Sequence, residues 1–189
     1  MTNIDFFDTI GNRPTTWEYK ADSLLLAANV LTERHATKMS KYDKNDEIKD
    51  KDGWTVGNKS PVLKYTSLTW TSNMLVAFSI ECYIKSVWVA RGNTLAKDGN
   101  YKPMMKKEAH DLEKMYEHLG FTASKQERSV LKRLTIVSTG MGRYPIQTKH
   151  TKGEFPGRQE SEGMRWNNRE DGNIVNEIIE KLKKEINST

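Results

Sequence analysis

Apolar residues recur at helical spacing along most of this chain, and the stretches between them are polar. Trp17, Ala21, Leu24, Ala28 and Leu31 return every three or four positions and predict a helix from about residue 15 to about residue 35. Pro14 suits a first helical position, and Thr15 with Glu18 has the Thr-x-x-Glu spacing of a capping box. The strongest helix runs from about Ser67 to Arg91 and is stopped by Gly92. Its apolar residues Leu75, Phe78, Cys82, Ile84, Val87 and Val89 spread over more than half of its circumference. That spread predicts the central, most buried helix. A short helix follows, opened by His110 or Asp111, carrying Leu112, Met115, Tyr116 and Leu119, and closed by Gly120. Ser124 starts another, with Val130, Leu131, Leu134 and Val137 facing inward. The last helix begins near Asn173 and lines up Ile174, Ile178, Leu182 and Ile186.

The intervening segments lack this periodicity. Lys38 to Asp52 holds five basic and five acidic residues and buries no face, so it reads as a loop. Gly53 to Lys59 has turn residues around Trp54 that suit a short strand or hairpin. Gly140 to Gly172 contains six of the twelve glycines and two of the five prolines, again a loop pattern. The tally is five helices with long loops, no repeats and no βαβ alternation. This predicts an all-α helical bundle in one domain spanning 1–189, with its core at about 15–145 and a C-terminal helix at about 173–187.

Composition narrows the class. The chain is 36% hydrophobic with a mean hydropathy of -0.75, on the polar side for a globular protein. No apolar run reaches the roughly 18 residues of a membrane span. Met1 to Phe7 lacks the basic and apolar regions of a secretory signal, and the expected location is cytoplasmic. The single cysteine, Cys82, allows no internal disulfide and sits in an apolar run, where a buried inert thiol is expected. The net charge of +5 is unevenly placed. Lys85, Arg91, Lys97, Lys102, Lys106 and Lys107 lie in one stretch against a single acid, Asp98. Such a stretch either tracks a phosphate backbone or is a solvated loop.

The chain has no P-loop, no dinucleotide-binding glycine fingerprint, no His-Glu-x-x-His and no di-metal carboxylate pattern. Nothing in it calls for a metal or a cofactor. Glu81 and Lys85 lie one turn apart in the favourable order, and read alone they are a surface pair contributing a few tenths of a kcal/mol. His110 beside Asp111 reads as a helix cap, with no other residue to pair with it. His35 and His118 read as surface residues.

The run Phe78-Ser-Ile-Glu81-Cys-Tyr-Ile-Lys85, then Arg91-Gly92, then His110-Asp111-Leu112 and Tyr116, resembles the HEPN family of helical-bundle proteins. In that family a helix carrying Glu-x-x-x-Lys precedes a turn and a His-Asp-Leu helix start. The likeness covers roughly residues 15–145 and is firmest over 77–120. It implies a helical bundle, a homodimer, and an RNA-acting protein of the sort found in prokaryotic defence and toxin–antitoxin systems, with a cognate antitoxin or defence partner.

Many HEPN proteins are metal-independent ribonucleases that use Arg-x4-6-His, and here Arg143 and His150 enclose six residues. The chemistry is coherent. The histidine exchanges protons with the ribose 2′-hydroxyl or the leaving oxygen, and the arginine stabilises the charge on the pentavalent phosphate. Arg91, Lys97, Lys102, Lys106 and Lys107 would hold the RNA backbone. Tyr144 stands where the family usually has a polar residue, and Pro145 interrupts any helix linking the pair. The other reading of Arg143-Tyr144-Pro145 is a turn anchoring the loop. Beside a ribonuclease stand two alternatives: an inert HEPN-like module binding nucleotide, nucleic acid or a partner protein, and a purely structural helical dimer.

Overall fold

The computed structural model of the protein describes residues 2–39, 47–49, 51, 55–58, 68–106, 110–139, 166 and 169–189. In chain order the helices are α1 (Asn3–Gly11), α2 (Pro14–Met39), α3 (Leu68–Ala90), α4 (Leu112–His118), α5 (Lys125–Thr139) and α6 (Glu170–Ser188). Four short strands make two antiparallel hairpins, β1 (Glu47–Lys49) with β2 (Thr55–Asn58), and β3 (Ala96–Lys97) with β4 (Asn100–Tyr101). The class is all-α, as the periodicity implies.

Helix α3 is the centre of the bundle. Thirteen of its 23 residues are buried, and α2, α4, α5 and α6 all pack against it. Its partner α2 lies antiparallel along it, and the contact has an unusual chemistry. Ser72, Ser79 and Ser86 recur every seven residues, two turns apart, on the face turned to α2. Their hydroxyls donate to the backbone carbonyls of Ala28, Ala21 and Pro14 at 2.9, 2.8 and 2.9 Å. The carbonyls descend by seven as the serines climb by seven. Ala21 and Ala28 are fully enclosed, with exposures of 0% and 1%. Only small residues on both sides let a serine reach the facing backbone, so their size sets the spacing of the two helices.

The other faces of α3 take the expected apolar stripes. Val130, Leu131, Leu134 and Val137 of α5 are buried, as are Leu112, Met115 and Tyr116 of α4 and Ile178 and Leu182 of α6. Gly92, at φ +81°, ends α3, and Gly120, at φ +82°, ends the α4 turn. Ser124 opens α5 through a reciprocal capping box with Glu127, whose carboxylate accepts from the Ser124 amide at 2.8 Å. Glu127 is buried and also meets Lys181 of α6 at 2.8 Å. Burial works to raise its pKa, but Lys181 and Ser124 outweigh this and hold the carboxyl below its ordinary value.

Several expectations are corrected. Helix α2 begins at Pro14, so Thr15 lies inside it and does not cap it; it also runs on to Met39. The N-terminal segment, for which no element was expected, forms α1, with the capping box supplied by Thr2 and Asp5. Part of the charged segment expected to be a loop forms strand β1, while β2 falls where a strand or hairpin was expected. The basic connection carries a hairpin too. Strand β3 docks on α1: Asp8 accepts from the amides of Asp98 and Gly99 at 2.7 and 3.0 Å, and Asn12 accepts from Leu95 and Ala96 at 2.8 and 3.0 Å.

The serine seam makes a sharp mutational prediction. Ser79→Ala removes one hydrogen bond from a carbonyl and should cost about 1 kcal/mol. Ser79→Leu must push α2 away and should cost about 3 kcal/mol. Urea unfolding of the two variants measures both, and equal costs would rule out a spacing set by side-chain size.

Candidate functional site

Three residues named in the sequence for other reasons meet at one end of the seam. Glu81 points from α3 with its side chain 8% exposed. One carboxylate oxygen accepts from the Lys85 ammonium at 2.7 Å, and the other lies 3.1 Å from Nδ1 of His110. Lys85 is nearly as enclosed, at 11%, while His110 is half-exposed at 49%. The pair is therefore buried, not the surface pair expected from its one-turn spacing. His110 has a partner after all, and the capping of α4 falls to Asp111, whose carboxylate accepts from the Lys114 amide. The only sequence signal for this cluster was the joint occurrence of Glu81, Lys85 and His110 in the family resemblance.

The surroundings of Lys85 are aromatic. Its ammonium sits 5.0 Å from the centre of the Trp17 ring and 5.4 Å from that of Tyr101. Trp17 is fixed in turn by its indole N–H, which donates to the Gly11 carbonyl at 2.9 Å. Burial alone would lower the Lys85 pKa, but the Glu81 charge and hydrogen bond, helped by Tyr101, raise it. Lys85 is thus held charged and is no nucleophile. Chemically, the cluster is a buried carboxylate held between one ammonium and a half-exposed imidazole.

The candidate nucleic-acid residues fall into three groups. Arg91 is engaged within the fold: its guanidinium meets Glu185 of α6 at 2.7 Å, donates to the Leu119 carbonyl and lies 5.7 Å from the Phe121 ring. Lys97, Lys102 and Lys106 are exposed, and none pairs with a carboxylate among the described residues. Arg143, His150 and Lys107 lie outside the described residues, as does Trp54. His118 is exposed, as expected of a surface residue, with its ring 5.3 Å from that of Trp88. Cys82 is 9% exposed and burial pushes its thiol up to about 11, which fits the inert thiol expected. Among the described residues no group of three or more His, Cys, Asp or Glu side chains could hold a metal ion. None of their helices is long and apolar enough to cross a membrane.

Comparison with family models, curated proteins and solved structures finds no match to this chain.

The cluster can be tested by a double-mutant cycle. Glu81→Gln leaves the Lys85 charge buried without a counter-charge and should cost about 3–5 kcal/mol. Adding Lys85→Met should restore most of that loss, because the second change removes the stranded charge. Additive costs in thermal or urea unfolding would mean that the two side chains do not depend on each other.

Proposed function

We propose that this protein is a HEPN-like RNA-acting protein that binds single-stranded RNA along the β3–β4 hairpin. The observation that carries the binding reading is the hairpin itself. Among the described residues three exposed lysines, Lys97, Lys102 and Lys106, pair with no carboxylate, and Tyr101 in the same segment is 46% exposed. Unpaired cations track a phosphate backbone, and an exposed aromatic ring gives an unstacked base a surface to lie on. The HEPN-like part of the reading is supported by the meeting of Glu81, Lys85 and His110, the residues on which the resemblance rests.

In this reading Arg143 and His150 form a metal-independent cleavage pair, with the histidine moving the proton and the arginine holding the phosphate charge. Replacing Lys97, Lys102 and Lys106 together by alanine should flatten the plot of log affinity against log salt by about 2 for single-stranded RNA. Fluorescence anisotropy measures that slope, and an unchanged slope removes the hairpin from the interface. His150→Ala should lower cleavage by about 10²–10⁴ in EDTA-containing buffer while leaving RNA binding unchanged. RNA that is bound but never cut by the wild-type protein would make this an inert binding module.

Homodimerisation belongs to the same proposal, as does a cognate antitoxin or defence partner. On α2 the exposed residues Tyr19, Leu26 and Val30 follow at seven- and four-residue steps, an apolar stripe on the side away from Ala21 and Ala28. Light scattering at high protein concentration should give twice the 21.8 kDa of the chain. Leu26→Glu should return it to the monomer mass, and a monomer for the wild type would refute pairing.

A further inference from the structure

A cleft of about 740 Å³ opens between α1, the start of α2 and the β3–β4 hairpin. Its walls are carbon-rich: Phe6, Phe7 and Ile10 from α1, Trp17 and Tyr19 from α2, and Tyr101 from the hairpin. The volume lies within the range that encloses a small organic molecule. Two of the residues that line it, Gly11 and Ala96, approach each other closely. A Cβ built on Gly11 would come within 2.5 Å of the Ala96 Cβ, so only glycine lets α1 meet the hairpin there. Hydrogen bonds that Asp8 and Asn12 accept from the backbone amides of Leu95, Ala96, Asp98 and Gly99 join the two walls.

The charge of the cleft is as specific as its shape. Lys20 is the one residue with a full charge among those lining it, and no acid lines it. No carboxylate pairs with Lys20 among the described residues. Lys85, beneath the rings of Trp17 and Tyr101, adds no net charge because Glu81 neutralises it. Asn3 and Thr16 supply neutral hydrogen-bonding groups. One unpaired cation beside an aromatic wall complements one negative charge on a flat apolar body. A doubly charged phosphate would leave its second charge unpaired against carbon.

We propose that this cleft is a binding site for a compact, flat, apolar monocarboxylate, with its rings against Trp17, Phe7 and Tyr101 and its carboxylate at Lys20. The site shares Tyr101 with the RNA reading, but its charge contact is Lys20, whereas the RNA reading takes its cations from the hairpin and the segment after it.

Isothermal titration calorimetry of the full chain with naphthoate tests it. The expected result is saturable binding at one site per chain, with a dissociation constant on the order of 100 µM for a ligand of that size. Naphthamide, with the same rings and no charge, should bind about tenfold more weakly. Lys20→Met should weaken naphthoate by the same factor and leave naphthamide unaffected, while Phe7→Ala should weaken both. Circular dichroism of Lys20→Met should match the wild type, since Lys20 is exposed. No heat of binding at millimolar naphthoate, equal affinity for acid and amide, or full affinity in Lys20→Met would each overturn the proposal. So would a concentration-dependent mass that Phe7→Ala abolishes in a protein that does not bind naphthoate, because the cleft would then be a face for a second copy.

Discussion

The approach of α2 to α3 through serine hydroxyls and facing carbonyls is the contact on which the rest of the molecule depends. Large side chains on that face would fill the gap and let either helix roll. Small ones bring the backbones together and fix both distance and register, because a hydroxyl finds a carbonyl only at steps of seven. The remaining faces of α3 are thereby freed for α4, α5 and α6. The seam also places the candidate site. Ser86 at its end bonds to Pro14, and the next residue back along α3 is Lys85, whose ammonium lies against Trp17 of the facing helix. The distance between the two backbones and the aromatic surroundings of a buried cation have one cause.

Charge, not shape, sets how the last helix sits. The stripe of Ile178, Ile179 and Leu182 on α6 would pack acceptably after a shift of one turn, since apolar contact is indifferent to which isoleucine fills a gap. Ion pairs are less forgiving. Glu127 of α5 takes Lys181, Arg133 of α5 takes Asp171 through both nitrogens, Arg91 beyond α3 takes Glu185, and Asp22 of α2 takes Lys183. The pairs of Glu127 and Asp171 bury a carboxylate, and misplacing either leaves that charge stranded at a high cost, whereas the partly exposed pairs of Arg91 and Lys183 add little. Together they join α6 to three other segments, so that a shifted α6 would break all four pairs together.

Much of this was legible in the sequence, and the gaps have physical reasons. The boundaries of α3 and the inward residues of α4, α5 and α6 follow from apolar spacing, because those helices bury a conventional stripe. The seam was invisible to that pattern. Ser72, Ser79 and Ser86 are polar, and Ala21 and Ala28 were counted for hydrophobicity when their contribution is small size. Helix α1 was missed because none of its residues is buried and side-chain hydrogen bonds hold it. At the candidate site, Glu81, Lys85 and His110 were noticed, but helical spacing says nothing of what covers a pair from outside its own helix. Arg91 read as a phosphate contact because its partner, Glu185, lies 94 residues further along the chain. Arg143 and His150 lie outside the described residues and rest on the sequence alone.

The attachment of α1 has a consequence for motion. A helix with no buried residue releases little apolar surface when it lifts away, so the free energy of that opening lies well below that of unfolding the bundle. Its amides should therefore exchange with solvent through a local event, at rates set by a few hydrogen bonds to the hairpin, while those of α3 wait for global unfolding. One wall of the aromatic cleft can thus swing without disturbing the serine seam, so the width of the cleft is uncoupled from the stability of the bundle.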